Sequence, residues 1–183
     1  MRISTNTALI LIDVQNHFDR PENGVRNNLN AEENMATLLN RWRKTNRPII
    51  HIQHISNPSL PHHPGRDIKE IVAPLPGEPV MIKNVNSSFI GTNLENHLKE
   101  AGIETLVIVG LTTDHCVSTT TRMAKNLGFT PFIVSDATAT FERISFDGKL
   151  YSAEEIHNLA LVSLSDEFAT VIDTKGVLEL LEG

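Results

Sequence analysis

Three polar residues stand where runs of apolar residues stop. Asp13 follows Ala8-Leu9-Ile10-Leu11-Ile12, Lys83 follows Pro79-Val80-Met81-Ile82, and Cys116 lies five residues beyond Leu111, at the opening of the helix that follows Leu106-Val107-Ile108-Val109-Gly110. If these runs are parallel strands, all three side chains leave from one sheet edge, the carboxyl edge at which open α/β sheets bind ligands. A thiol, a carboxylate and an ammonium group there suit nucleophilic catalysis. Cys116 attacks, Asp13 takes its proton, and Lys83 with the helix N-terminus favours the thiolate. Taken singly, Lys83 reads as a solvated strand end and Cys116 as a small buried hydrophobe, while for Asp13 a cap or turn at the strand end is the lesser reading. Their shared edge points to chemistry.

The elements that would hold this set follow from the hydrophobic pattern. Short, β-branched, continuous apolar runs predict buried strands over residues 7–14, 48–54, 79–83, 105–111, 129–135 and 167–173. Apolar spacing of three and four residues predicts helices over 30–45, 93–101, 113–127 and 152–165. Strands alternating with helices imply right-handed crossovers. The fold class is therefore α/β: a three-layer, doubly wound, mostly parallel six-stranded sheet with helices on both faces. Gly102 and Gly128 stand where the second and third helices should end. Segment 56–79 differs in kind, holding six of the nine prolines (Pro58, Pro61, Pro64, Pro74, Pro76 and Pro79). Proline stiffening makes it an ordered excursion, a wall or a lid.

With 183 residues, no linker and no internal repeat, the chain reads as one domain over 1–183. A formal charge of -6 repels phosphate backbones and anionic lipid, which leaves a small molecule, rather than nucleic acid or membrane, as the expected partner. Cys116 is the single cysteine, so no disulfide forms within the chain, and a reducing compartment, the cytoplasm, is expected. No apolar run approaches the ~20 residues of a membrane span. The patterns G-x-G-x-x-G, G-x-x-x-x-G-K-[ST], G-x-S-x-G and H-E-x-x-H are all missing. That sets aside dinucleotide, P-loop, serine-hydrolase and helical zinc-protease sites.

Lesser candidates surround the set. His115 adjoins Cys116, but neighbours on a helix point about 100° apart, so it suits substrate contact or the surface rather than a catalytic pair. Asp114, with Thr112 and Thr113, reads as a helix N-cap, and Asp136 as a capping or supporting group. His51, His54, His62, His63 and Asp67 could hold a metal, although solvated loop histidines are the better reading, and no cofactor is expected.

These residues resemble the isochorismatase-like cysteine hydrolases, a family that includes nicotinamidases and N-carbamoylsarcosine amidohydrolase. The carriers are Ala8 to Asn16 with Phe18, Gly77 to Lys83 leading to Ser88-Phe89-Ile90-Gly91-Thr92, Val109 to Val117 with Thr120, Arg122 and Ala124, and Asp136 to Thr140. The resemblance spans nearly the whole chain. It implies a catalytic triad of Asp13, Lys83 and Cys116, and a cis peptide between Leu111 and Thr112. It also implies an oxyanion hole built from the backbone N–H groups of Thr112 and Cys116. The reaction it implies is hydrolysis of a carbon–nitrogen bond (amide, ureido or lactam, not a peptide) through a thioester, without a metal. Phe18, His54, Phe89 and His115 are candidates for substrate contact, with Trp42 or Phe141 beside them. A homo-oligomer, dimer or tetramer, is implied too. The alternatives are vinyl ether hydrolysis of the isochorismatase type, which does not need the thiol; a nicotinamidase, whose metal-binding Asp and His set Gln53-His54-Ile55-Ser56-Asn57 does not reproduce; and a non-catalytic thiol-sensing or binding protein.

Overall fold

The computed structural model describes residues 3–57 and 59–182. Six parallel strands form its sheet in the order β3-β2-β1-β4-β5-β8. They are β1 (Ala8–Ile12), β2 (Ile49–His54), β3 (Val80–Lys83), β4 (Thr105–Leu111), β5 (Thr130–Ala139) and β8 (Thr170–Ile172). A small antiparallel hairpin, β6 (Arg143–Ile144) with β7 (Leu150–Tyr151), lies apart from the sheet. The helices are α1 (Ala31–Lys44), α2 (Leu94–Glu100), α3 (Ser118–Asn126), α4 (Ala153–Leu164) and α5 (Thr174–Glu182).

Alternation along β1 makes the layers. Leu9 and Leu11 pack with Met35, Leu38 and Trp42 of α1 and Val177 and Leu181 of α5. Ala8, Ile10 and Ile12 pack with Leu94 and Leu98 of α2, Ala124 of α3 and Leu161 and Leu164 of α4. Because β1 and β4 carry apolar residues toward both faces, their runs are continuous, as a sheet covered on both sides requires. The edge strand β3 departs from this: Ile82 is 52% exposed.

The chain passes from β1 to its neighbours β2 and β4 on opposite sides, so the strand order reverses between β1 and β4. A crevice opens at the carboxyl end of such a reversal. Gly110 lets the two strands close there. Its φ is +125°, and a Cβ on it would lie 2.1 Å from the carbonyl oxygen of Ile12.

Gly102 and Gly128 end α2 and α3 with positive φ. In each case the glycine N–H bonds back to Lys99 or Lys125, and the next N–H to Leu98 or Ala124. The helix expected over 113–127 is divided: Thr113–Val117 is a π-helical turn, and α3 starts at Ser118. The strand expected over 167–173 shortens to β8, because Phe168 and Ala169 donate to the Leu164 carbonyl and close α4. Helix α5 has no counterpart in the sequence reading; Gly176 in its first turn obscures the pattern. The 56–79 excursion packs as an ordered wall with short 3-10 turns and a fully buried Val72. Pro58 lies outside the described residues.

Candidate active site

At the end of β1 the chain turns at once. Asp13 adopts φ +53°, a left-handed conformation that an aspartate tolerates better than a branched residue does. Its N–H donates to the Ile52 carbonyl at 3.0 Å, and its own carbonyl accepts from the Gln15 N–H at 2.8 Å. The register pairs His54 with Lys83, so β2 and β3 finish side by side next to Asp13.

Lys83, whose side chain is wholly buried, spends all three ammonium protons. Nζ donates to Asp13 Oδ2 at 2.7 Å, to His54 Nδ1 at 2.9 Å and to the Val85 carbonyl at 3.1 Å. An ammonium group has no lone pair to offer, so Nδ1 accepts and the imidazole proton sits on Nε2. Gln15 clamps the backbone of the same histidine. Its Oε1 accepts from the His54 N–H at 2.8 Å, and its Nε2 donates to the His54 carbonyl at 3.1 Å and the Arg66 carbonyl at 2.7 Å.

From the other side β4 delivers the thiol. The Leu111–Thr112 peptide is cis, and the π-helical turn brings Cys116 Sγ to 3.8 Å from His54 Nδ1. Donor atoms of Asp13, His54 and Cys116 lie within 4.8 Å of one another. Those donors could hold a metal ion in principle, but the Lys83 ammonium, bonded to two of the three groups, already supplies the positive charge there. Among the described residues, neither the N–H nor the Oγ1 of Thr112 has a hydrogen-bond partner. Asp13 Oδ1 is likewise buried and unpartnered.

At the nucleophile one sequence expectation is outweighed. Lys83 and a helix N-terminus were to favour the thiolate, yet the Cys116 thiol is pushed up to about 12. Burial contributes most, the Asp13 charge adds to it, and the pull of Lys83 in the opposite direction does not overcome them. Cys116 also lies inside the π-helical turn, ahead of the first turn of α3. The resting group is a thiol.

A cavity of about 810 Å³ opens above Cys116 and is lined by Asp13, His54, Thr112, Phe18 and His115 among others. Phe18 stacks on Phe141 with centroids 6.1 Å apart, and both line the cavity. Phe89 does not. Ser88, bonded through its N–H and hydroxyl to Thr120 Oγ1, turns Phe89 into the core against Phe129. Trp42 is buried beneath α1, where its indole N–H donates to the Thr7 carbonyl.

Asp114 is not a helix N-cap. It accepts from Thr140 Oγ1 at 2.6 Å and Arg143 Nε at 2.8 Å, which ties the end of β5 and the hairpin to the turn carrying Cys116. Asp136 does cap, accepting from the N–H and hydroxyl of Thr174 at the start of α5. The remaining histidines disperse: His51 meets Glu78, His62 meets Asp67, and His63 meets Arg20. Among the described residues, none of these three joins His54 in a group that could hold a metal ion. Gln15 and Arg143 escaped the sequence reading. Gln15 lies within the Asp13-Val14-Gln15-Asn16 stretch, but no periodicity shows that an amide two residues on clamps another strand.

Similarity to known proteins agrees with this geometry. Residues 7–176 match the model of the isochorismatase domain. The chain is 52% identical over 171 residues to the isochorismatase family protein YrdC of Bacillus subtilis, covering 91% of each. It is 28% identical over 183 residues to Nicotinamidase 3 of Arabidopsis thaliana, covering 91% of this chain and 84% of that one. The crystal structure of a hydrolase of the isochorismatase family from Chromobacterium violaceum superposes with a TM-score of 0.96 at 39% identity, covering 100% of this chain and 97% of the other. On its sequence and its fold alike, the chain belongs to the isochorismatase family of hydrolases.

Proposed function

We propose that this hydrolase cleaves a carbon–nitrogen bond in a small amide, ureido or lactam compound, using Cys116 as nucleophile and a thioester as intermediate. The observation that carries the reading is the divided carboxylate of Asp13, which lies within 4.8 Å of the thiol: Oδ2 is fixed by Lys83, whereas Oδ1 is buried with no hydrogen-bond partner among the described residues. A buried, unsatisfied carboxylate oxygen is costly to keep, and a proton acceptor poised for its donor is a reason to keep it.

The chemistry follows. Asp13 takes the thiol proton as Cys116 sulfur bonds to the substrate carbonyl carbon. The high position of the thiol makes this base necessary, because little thiolate exists beforehand. Once Asp13 is protonated, its repulsion of the thiolate vanishes, and the charge of Lys83 then serves the sulfur. The carbonyl oxygen, now an oxyanion, accepts from the backbone N–H groups of Thr112 and Cys116. Collapse breaks the carbon–nitrogen bond, and Asp13 returns the proton to the departing nitrogen. Water then adds to the thioester as Asp13 takes a proton from it, and loss of the thiol releases the acid and restores the enzyme.

A nicotinamidase among the relatives supports an amide-type bond. The thiol-sensor reading is weaker, because reversible oxidation needs an accessible, low-lying thiolate. Ammonia or acid release from a panel of small amides, ureido acids and lactams is the test. Turnover that Cys116→Ala lowers about 10⁴-fold or more is expected. Undiminished turnover by Cys116→Ala would sink the thioester. Cleavage of vinyl ethers alone would move the protein to the isochorismatase reaction.

A further inference from the structure

Cations ring the cavity above Cys116. Arg20 and Arg66 stand on the wall made by the turn after β1 and the 56–79 excursion, and Arg143 opens the hairpin as the first residue of β6. Among the described residues, Asp13 is the one carboxylate lining that cavity, and Lys83 already holds it. The chain as a whole carries a formal charge of -6, so this local excess of positive charge runs against the protein's own sign.

The three guanidinium groups are not equivalent. Arg66 is spent on the loop, donating to the Leu60 and Asn57 carbonyls at 3.1 Å each. Arg143 gives Nε to Asp114 Oδ2 at 2.8 Å, and Asp114 is itself fixed by Thr140. One terminal nitrogen of Arg143 reaches only to 3.5 Å from His115 Nδ1, and the other has no partner among the described residues. Asp114, two residues before the nucleophile in sequence, thus aims this guanidinium while leaving one terminal nitrogen unpartnered among the described residues and the other held only at 3.5 Å. Arg20 lies against the ring of His63, with one terminal nitrogen 2.9 Å from Nε2, and has no carboxylate partner among the described residues. An open guanidinium edge matches a carboxylate through paired N–H donors.

We infer that the substrate bears a carboxylate at the end remote from the scissile carbonyl, received by Arg143 in the field of Arg20. The inference rests on the hydrolase reading for the substrate's other end, and it narrows that reading to amido or ureido acids. A cavity of about 810 Å³ has room for both ends of such a molecule.

The single cysteine permits a test that does not depend on turnover. Iodoacetate and iodoacetamide alkylate a thiol by the same displacement of iodide and differ in one charge. Their rate ratio at Cys116, divided by the ratio for a free small thiol, is expected to exceed one by about tenfold in the native protein. It should fall toward one in Arg143→Gln and Arg20→Gln, recover in Arg143→Lys, and shrink with added salt. Thermal melts establish that each variant is folded. A native ratio at or below one, or a high ratio that neither variant lowers, overturns the inference. Hydrolysis of succinamate against succinamide is the second arm, with kcat/KM about 10- to 100-fold higher for the acid. Charge-selective alkylation with neither amide cleaved leaves the anion site standing and sinks carbon–nitrogen hydrolysis. Equal cleavage of both amides with a flat alkylation ratio does the reverse.

Discussion

Strand β2 carries two histidines three residues apart, and each belongs to a cluster containing one carboxylate and one cation. Toward the amino end, His51 joins Glu78 and Arg43; at the carboxyl end, His54 joins Asp13 and Lys83. The inventories match, but the satisfaction does not. Glu78 Oε1 accepts from Arg43 Nε, and Oε2 accepts from Arg43, His51 and the Leu75 N–H, so both oxygens are engaged. Asp13 engages one oxygen and leaves the other buried and bare. An arginine fork saturates a carboxylate and stays put, whereas a lysine offers a point charge and leaves room for chemistry. A histidine, a carboxylate and a cation give a clamp at one end of a strand and a reactive group at the other.

Breaking each cluster should therefore do opposite damage. Asp13→Asn keeps the shape and the left-handed backbone but removes the base; turnover of any cleaved amide should fall about 10²- to 10⁴-fold. Glu78→Gln should leave kcat near native and lower stability by about 1–3 kcal/mol, because the Arg43 and His51 bonds weaken together. Steady-state kinetics beside denaturant melts separate the two. If Asp13→Asn lost only stability, or Glu78→Gln lost kcat instead, the distinction between clamp and reactive group would be wrong.

Between these effects falls the backbone that joins the site. Gly110→Ala forces a Cβ against the Ile12 backbone at a positive φ, so β1 and β4 must separate where Asp13 and Thr112 emerge. A loss of about 3 kcal/mol or more is expected from this buried overlap, read as a lower urea midpoint. A native midpoint would mean that the strands yield more easily than a packed sheet should.

The sequence showed much of this arrangement and hid a definite remainder. Asp13, Lys83 and Cys116 were legible because the first two each end an apolar run and the third follows one by five residues, and a parallel sheet turns that one-dimensional fact into proximity. The sheet's helices were legible for the same reason, up to α5, whose glycine breaks the pattern. What the pattern could not show was contact across elements. Gln15 reaching β2, Asp114 reaching Arg143, and Phe89 turned inward by Ser88 and Thr120 all depend on directions that spacing does not encode. The state of the thiol was hidden too, since burial and the neighbouring carboxylate decide it, and both exist only in the fold.

The comparison sharpens last in the pH dependence of stability. The Glu78 carboxyl is held down at about 2 by Arg43, the Leu75 N–H and His51, against the desolvation that opposes ionisation. Its folded pKa lies below the unfolded one, so its contribution is present above about pH 4.5 and drains away as pH falls toward 2. His51, which burial keeps neutral, begins the loss earlier, because the unfolded chain protonates it near its ordinary 6.5. At Cys116 the sign reverses. The folded thiol is pushed up to about 12 from an ordinary 9.0, so the unfolded chain gives up that proton first. Its contribution is intact below pH 9 and is lost as pH rises toward 12, with a slope of up to about 1.4 kcal/mol per pH unit. Subtracting the Cys116→Ala melting curve from the native one isolates this alkaline limb, and subtracting Glu78→Gln isolates the acid limb. An alkaline limb that survived in Cys116→Ala would show that the thiol is not held protonated, and with it the need for Asp13 as a base would disappear.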